Sequence, residues 1–164
     1  MQKKIFKIRW GLSVKIITIV SLILIVYAIY AIVNNFSNDN FWISFIVLFI
    51  ILSVCIYCLL EIPLSIRLNE SEIILKKLIG QLVIRIDSIS HIEPYKPDKS
   101  DIRVFGIGGV GGYIGVFMNA GIGKYRAYIG NTSQAFLIIT ELGKKYVLSC
   151  ENRDLVISII KLQM

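Results

Sequence analysis

The sequence predicts an α+β protein with a membrane anchor: a two-helix transmembrane hairpin, then a bent antiparallel β-sheet or barrel of about seven strands, capped by a C-terminal helix. Three observations carry this expectation. Two long uncharged apolar runs lie near the N-terminus, period-2 alternation of apolar and polar residues follows them, and the chain ends in an amphipathic helical pattern.

The 164 residues are 55% apolar and 18% charged, and the apolar residues are unevenly spread. Residues 16–33 and 41–60 form two runs without a charge. A hydrocarbon core of about 30 Å needs roughly 20 apolar residues as a helix. This places membrane helices at about 13–33 and 42–61, joined by a short external loop at 34–41. A secretory signal would have an apolar region of about 7–15 residues and a small-x-small cleavage site. The first run ends Tyr30-Ala31-Ile32-Val33-Asn34 without such a site, so an uncleaved anchor is expected.

Charge sets the direction. Lys3, Lys4, Lys7, Arg9 and Lys15 precede the first helix with no acid among them, and Arg67, Lys76 and Lys77 follow the second. The connecting loop has no Lys or Arg. Because basic residues stay on the cytoplasmic side of short loops, the expected location is the inner (cytoplasmic) membrane, multi-pass, with both termini cytoplasmic. Trp10 and Trp42 sit at the run ends, where amphipathic rings prefer the interface. Residues 1–62 are thus a basic cytoplasmic N-terminus plus the anchor, and residues 63–164 one cytoplasmic domain. That domain carries 13 Lys or Arg against 9 Asp or Glu. This mild excess suits an anionic leaflet, at about 1 kcal/mol per near-surface cation, and serves solubility equally well.

Cys55 and Cys58 match C-x-x-C but fall inside the second apolar run, where low dielectric opposes the thiolate that redox or metal chemistry needs. They read as small apolar packing residues. Cys150 stands alone, as free cytoplasmic thiols commonly do.

Behind Pro63, Leu64, Ile66 and Leu68 alternate with polar residues, and Asn69-Glu70-Ser71 reads as a turn. Residues 73–77 form a second strand, Leu78-Ile79-Gly80 a turn, and Leu82, Ile84 and Ile86 a third strand, making a meander. Residues 87–93 read as a short helical turn leading into a fourth strand. A polar, proline-punctuated loop covers 94–101. Residues 103–105, 113–118, 124–129, 135–140 and 144–148 read as extended, the last two as a hairpin. At the C-terminus Asn152 is the expected N-cap, Asp154 complements the helix dipole, and Leu155, Val156, Ile159 and Ile160 form the apolar face.

The most conspicuous local feature is the glycine stretch over residues 106–115. Gly106, Gly108 and Gly111 match G-x-G-x-x-G, yet a dinucleotide site needs a helix directly after the glycines. Here Tyr113-Ile114-Gly115-Val116 follows, which is β-like. A kinase loop would need H-R-D and D-F-G segments, which the chain lacks. Two readings survive. One is a tight hairpin where positive φ or close backbone approach excludes a Cβ. The other is a recognition loop of Gly106, Gly108, Gly109, Gly111 and Gly112 whose backbone N–H groups bind an anion or a peptide.

Catalytic constellations are otherwise missing. His91 is the sole histidine and reads as structural, and no G-x-S-x-G elbow occurs. Glu61 at the end of the second helix reads as an interfacial charge. No enzyme activity, metal, cofactor or nucleic-acid partner is expected.

The run Arg103-Val104-Phe105-Gly106, the glycines to Gly115, the Gly123-Lys124-Tyr125-Arg126 hairpin, the strands at 135–140 and 143–149 and the terminal helix occur in an order similar to the bacterial pleckstrin-homology-like (PH) domain proteins. Many of these carry two N-terminal membrane helices. The resemblance covers residues 63–164 plus the anchor, and implies a PH-like bent sheet of seven strands capped by a helix. It implies little about function, since most such bacterial proteins are uncharacterised. Eukaryotic relatives bind phosphoinositides through a basic first strand loop, whereas here that loop is Asn69-Glu70-Ser71-Glu72, so that property does not carry over. The expected partners are the lipid bilayer and a protein partner or a second copy of the chain. The alternative is a lipid or small-ligand sensor using a basic surface of Lys124, Arg126, Lys144 and Lys145.

Overall fold

The computed structural model describes residues 4–34, 41–98 and 100–164. Residues 35–40 of the expected external loop, Lys3 of the basic N-terminus and Lys99 of the proline loop lie outside the described residues.

The two apolar runs contain no glycine or proline and form helices α1 (Leu12–Asn34) and α2 (Phe41–Glu61). At 1.5 Å per residue they are about 34 and 31 Å long, enough to cross a hydrocarbon core. Neither is a core helix of a soluble domain. Among the described residues α1 buries only Val14 and α2 buries none. Leu24, Trp42 and Phe49 are all more than half exposed. Water cannot accommodate such a surface, and hydrocarbon can.

Among the described residues, ten strands in two sheets lie before and behind the helices. The first is antiparallel, in the order β1 (Lys4–Lys7), β2 (Pro63–Leu68), β3 (Glu72–Lys77), β4 (Gln81–Arg85). The second holds β5 (Ile89–Pro94), β6 (Ile102–Gly108), β7 (Tyr113–Asn119), β8 (Gly123–Ile129), β9 (Ala135–Thr140) and β10 (Lys145–Ser149). Its order is β5-β9-β10-β8-β7-β6. Every pair is antiparallel except β10 with β8, which run parallel with Tyr146 abreast of Arg126. The bent sheet expected from the sequence is therefore divided in two. The helical turn expected at 87–93 shrinks to one 3-10 turn at Ile86–Ser88, and β5 starts at Ile89.

The alternating residues of both sheets meet in one core. Ile66, Ile73 and Leu75 of the first sheet face Ile92, Phe136, Ile138 and Leu148 of the second, all essentially inaccessible. Helix α3 (Arg153–Lys161) closes the open end with Val156, Ile157, Ile159 and Ile160. Its expected apolar face is rotated: Ile157 is buried, and Leu155 is 48% exposed. Asn152 occupies the cap position in the left-handed conformation (φ 56°) and gives no side-chain cap; its backbone oxygen accepts from the Val156 N–H. The chain turns sharply there, because Glu151 N–H donates to Lys7 O of the N-terminal segment.

β1 was not foreseen. Its four residues belong to the basic N-terminus expected before the anchor, and their partner strand lies beyond both helices in sequence. Phe6 pairs with Ile66 and is buried in the inter-sheet core, while Lys4 and Lys7 point outward. Cleavage behind α1 would remove this strand and its core residue. Phe6→Ala is expected to destabilise the full chain by about 3 kcal/mol, the usual cost of truncating a buried phenylalanine. Thermal unfolding in detergent should drop by at least about 10 °C. Ile5→Ala, at a position 56% exposed, should move it little.

Cys150 lies in the same core, and burial pushes its thiol from 9.0 up to about 12. The folded chain thus holds this proton more tightly than the unfolded chain. The resulting stability is fully present below about pH 9 and is lost as pH rises toward 12. Denaturant titrations between those pH values should show a shallower slope in Cys150→Ala than in the wild type, the remainder coming from the desolvated tyrosine hydroxyls, which are raised in the same direction.

Candidate functional site

Three features stand out on the domain: the glycine turn, a basic groove and an apolar sheet edge. The glycine turn connects β6 to β7. Gly106 and Gly115 are directly paired, with φ of +122° and +130°. A Cβ on Gly106 would collide with Ile114 O, and one on Gly115 with Phe105 O. Here the hairpin bends so tightly that only glycine fits. At its tip, Gly109 packs on Ile17 of α1, where an added Cβ would sit 2.7 Å from Cδ1. A Cβ on Gly111 would lie 2.9 Å from Ile62.

The contact is also polar. Gly111 N–H donates to the Thr18 hydroxyl over 2.9 Å, and that hydroxyl lies 2.7 Å from Val14 O and 3.4 Å from Gly109 O. Of the five glycines singled out in the sequence, Gly109 and Gly111 meet the base of the anchor. Gly106 and Gly112 lie against neighbouring strand backbone, and Gly108 makes room for the Arg103 guanidinium. The Gly111 N–H that would serve an anion is donated to Thr18.

The rest of the junction is equally close. Gly11 N–H donates to Gly130 O over 2.8 Å just before α1, and Ile8 N–H to Leu64 O over 3.1 Å. Behind α2 the chain enters β2 with no linker, and Lys77 holds the Glu61 carboxylate at 2.9 and 3.0 Å. Glu61 is thus a paired junction charge. Both helices are fastened to the domain at their base.

The fold brings the four basic residues together. Lys124, Arg126, Lys144 and Lys145 line one groove of about 340 Å3 with Val116 and Tyr146. Parallel pairing of β8 with β10 produces this, because it sets Arg126 beside Tyr146 and so draws in the neighbouring lysines. Lys145 donates to Ile122 O, whereas Lys124, Arg126 and Lys144 have no ion-pair partner among the described residues. Closer to the anchor on β8, burial raises the Tyr128 hydroxyl pKa, against the opposing effect of Lys77.

The third feature is β6, an edge strand of the six-stranded sheet. Ile102, Val104 and Phe105 are 63%, 53% and 68% exposed, and Met118, abreast of Ile102, is 48% exposed. Other edges carry charge: Lys4 and Lys7 on β1, Arg85 on β4, His91 and Glu93 on β5. The alternation predicts an extended segment at 103–105, but its place at the sheet edge, uncovered by any strand among the described residues, depends on the order of the sheet.

His91 is exposed, with Nε2 3.3 Å from Glu93. Among the described residues no group of three His, Cys, Asp or Glu side chains is placed to hold a metal. On the other face of the six-stranded sheet Asp101 accepts from the Tyr95 and Tyr125 hydroxyls, each at 2.7 Å. Burial, followed by the adjacent carboxylate, raises both phenols. This cluster ties the proline loop to β8.

Two sheets packed about one core, closed by a C-terminal helix and carried on a pair of membrane-length helices, define a PH-like domain protein with a membrane anchor. The profile described as bacterial PH domain matches residues 64–162. The chain belongs to that bacterial PH domain family. No curated protein and no solved structure matches it.

Gly109→Val should separate the turn from α1, through its positive φ (+110°) and the clash with Ile17. Thr18→Val should cost about 1 kcal/mol, the net value of the lost hydrogen bonding. Both should speed amide exchange over residues 107–113 in a hydrogen-exchange measurement, with the core strands β9 and β10 unchanged.

Proposed function

We propose that the chain is a non-catalytic docking protein of the inner membrane, with both termini cytoplasmic, that presents its PH domain to a protein partner or to a second copy of itself. The observation that carries this reading is the apolar edge of β6. Unpaired strand edges are normally blunted by charge, because they invite pairing with another chain. Here the β6 edge exposes three large apolar side chains, moderated only by Arg103 and by a register shift between Arg103 and Phe105. The clamp at the anchor supports the same reading: a domain joined without a linker keeps one orientation to the bilayer, which suits assembly.

A second reading is favoured by the basic groove, whose Lys124, Arg126 and Lys144, without an ion-pair partner among the described residues, suit an anionic small ligand. Lys124 is abreast of Met118, while Ile129 is abreast of Tyr113 next to the docked glycine turn. The groove therefore begins at Arg126, about 10 Å along β8 from Ile129 at roughly 3.4 Å per residue, and runs outward to Lys124 at about 17 Å. Headgroups extend only about 5–7 Å beyond the hydrocarbon on each side, so a dissolved anion suits this groove better than the lipids of the same leaflet.

In-membrane cross-linking of the full chain separates the two. Phe105→Asp with Val104→Asp should abolish cross-linked dimers or a discrete partner band and leave the thermal transition in place. Wild-type chain that is monomeric and without a cross-linked partner would sink the docking reading. The groove reading predicts instead salt-sensitive binding of inorganic pyrophosphate, lost in Lys124→Gln with Arg126→Gln.

A further inference from the structure

The hairpin turn between β3 and β4 is built unlike the turn at the other end of its sheet. Asn69, Glu70 and Ser71 connect β2 to β3 and are polar, as solvent-facing turns usually are. Leu78, Ile79 and Gly80 connect β3 to β4, with Leu78 54% and Ile79 64% exposed. Gly80, at φ +82°, has open space where a Cβ would stand. Nothing else in the described chain covers the two side chains.

Their place explains them. Lys77 is abreast of Pro63, the first residue behind α2. The chain then continues past the end of the domain and alongside the last turn of α2. Leu78 N–H donates to Ile62 O over 3.1 Å, and Ile79 N–H to Leu60 O over 3.5 Å. Leu60 closes the apolar run of α2, and on the same helix Ile56 and Leu59 are also more than half exposed. Ile79 therefore stands level with side chains that need hydrocarbon. Lys76 and Lys77 sit just below, where ammonium groups reach headgroups, and Glu61, the acid at this level, is paired with Lys77. On the other helix the glycine turn reaches Thr18, six residues into α1 and about 9 Å along its axis. Both turns rise beside the anchor.

We propose that Leu78 and Ile79 insert into the interfacial layer of the leaflet beside α2, giving the domain a lipid contact independent of the two spanning helices. The occupant is the bilayer itself, because the turn is bonded to the end of α2, whose exposed side chains there are apolar. This contact fixes the tilt of the domain, so that β4 and the core behind it face the leaflet at one angle.

The test uses the full chain in lipid nanodiscs. In a background of Cys55→Ala, Cys58→Ala and Cys150→Ala, Ile79→Cys should react with a membrane-impermeant maleimide roughly tenfold more slowly than Leu142→Cys, since low dielectric suppresses the thiolate. Leu142, 82% exposed on the β9–β10 turn, serves as the water-facing control. Ile79→Trp in the otherwise native chain gives a reading that does not depend on the cysteine-free background. Bromine-labelled lipid should quench emission beyond that from Trp10 and Trp42. Equal maleimide rates at the two positions, or no added quenching, would overturn the proposal. So would protection of Ile79→Cys that is lost in nanodiscs holding a single copy of the chain, because a second copy would then have been covering the turn.

Discussion

The glycine turn between β6 and β7 can touch α1 only where no Cβ intervenes, and much of the molecule's geometry depends on that contact. Gly109 against Ile17 and Gly111 against Ile62 bring a sheet tip onto the base of the anchor, and the Thr18 hydroxyl serves Val14 O on the helix and Gly111 N–H on the turn. A polar group of a membrane helix near the interface must find a partner, and a backbone N–H in a tight turn must too. One hydroxyl meets both needs. With Gly11 bonded to Gly130 and Lys77 to Glu61, the two chain crossings become one rigid base.

Rigidity at this base changes what the domain can be. A PH domain on a flexible tether samples many orientations, and its surfaces are equally available. Fastened at α1, α2 and β1, this one has a membrane end, carrying Leu78, Ile79 and the glycine turn, and a far end, carrying the turns at 69–71 and 141–143. The basic groove and the apolar edge of β6 extend along the second sheet between those ends. Their distance from the lipid is set by strand register, since each residue along β8 adds about 3.4 Å.

The glycines illustrate how one sequence signal supports two readings. Glycine marks positions where a Cβ cannot be tolerated, whether because a ligand approaches or because the chain itself does. The pattern of Gly106, Gly108, Gly109, Gly111 and Gly112 does not distinguish the cases. The structure places α1 of the same chain against Gly109 and Gly111, and a bent hairpin at Gly106 and Gly115. The basic residues behave differently: Lys124 and Arg126 were legible as one alternating face, but their meeting with Lys144 and Lys145 requires the parallel pairing of β10 with β8.

The two helices, their membrane length, the alternating strands and the terminal helix were legible in the residues alone, because each is written in a local periodicity that burial enforces. The division into two sheets, the inclusion of β1 and the rotation of α3 that buries Ile157 and exposes Leu155 were not. Those depend on contacts between segments far apart in the chain. Lys4 to Lys7 become a strand only because β2 returns beside them after two membrane crossings, and a four-residue lysine-rich segment has no local signal of that. The anchor was legible because hydrocarbon demands a long uninterrupted run. The clamp at its base was decided by tertiary structure alone, because it is made from single backbone groups whose partners only the fold brings within reach.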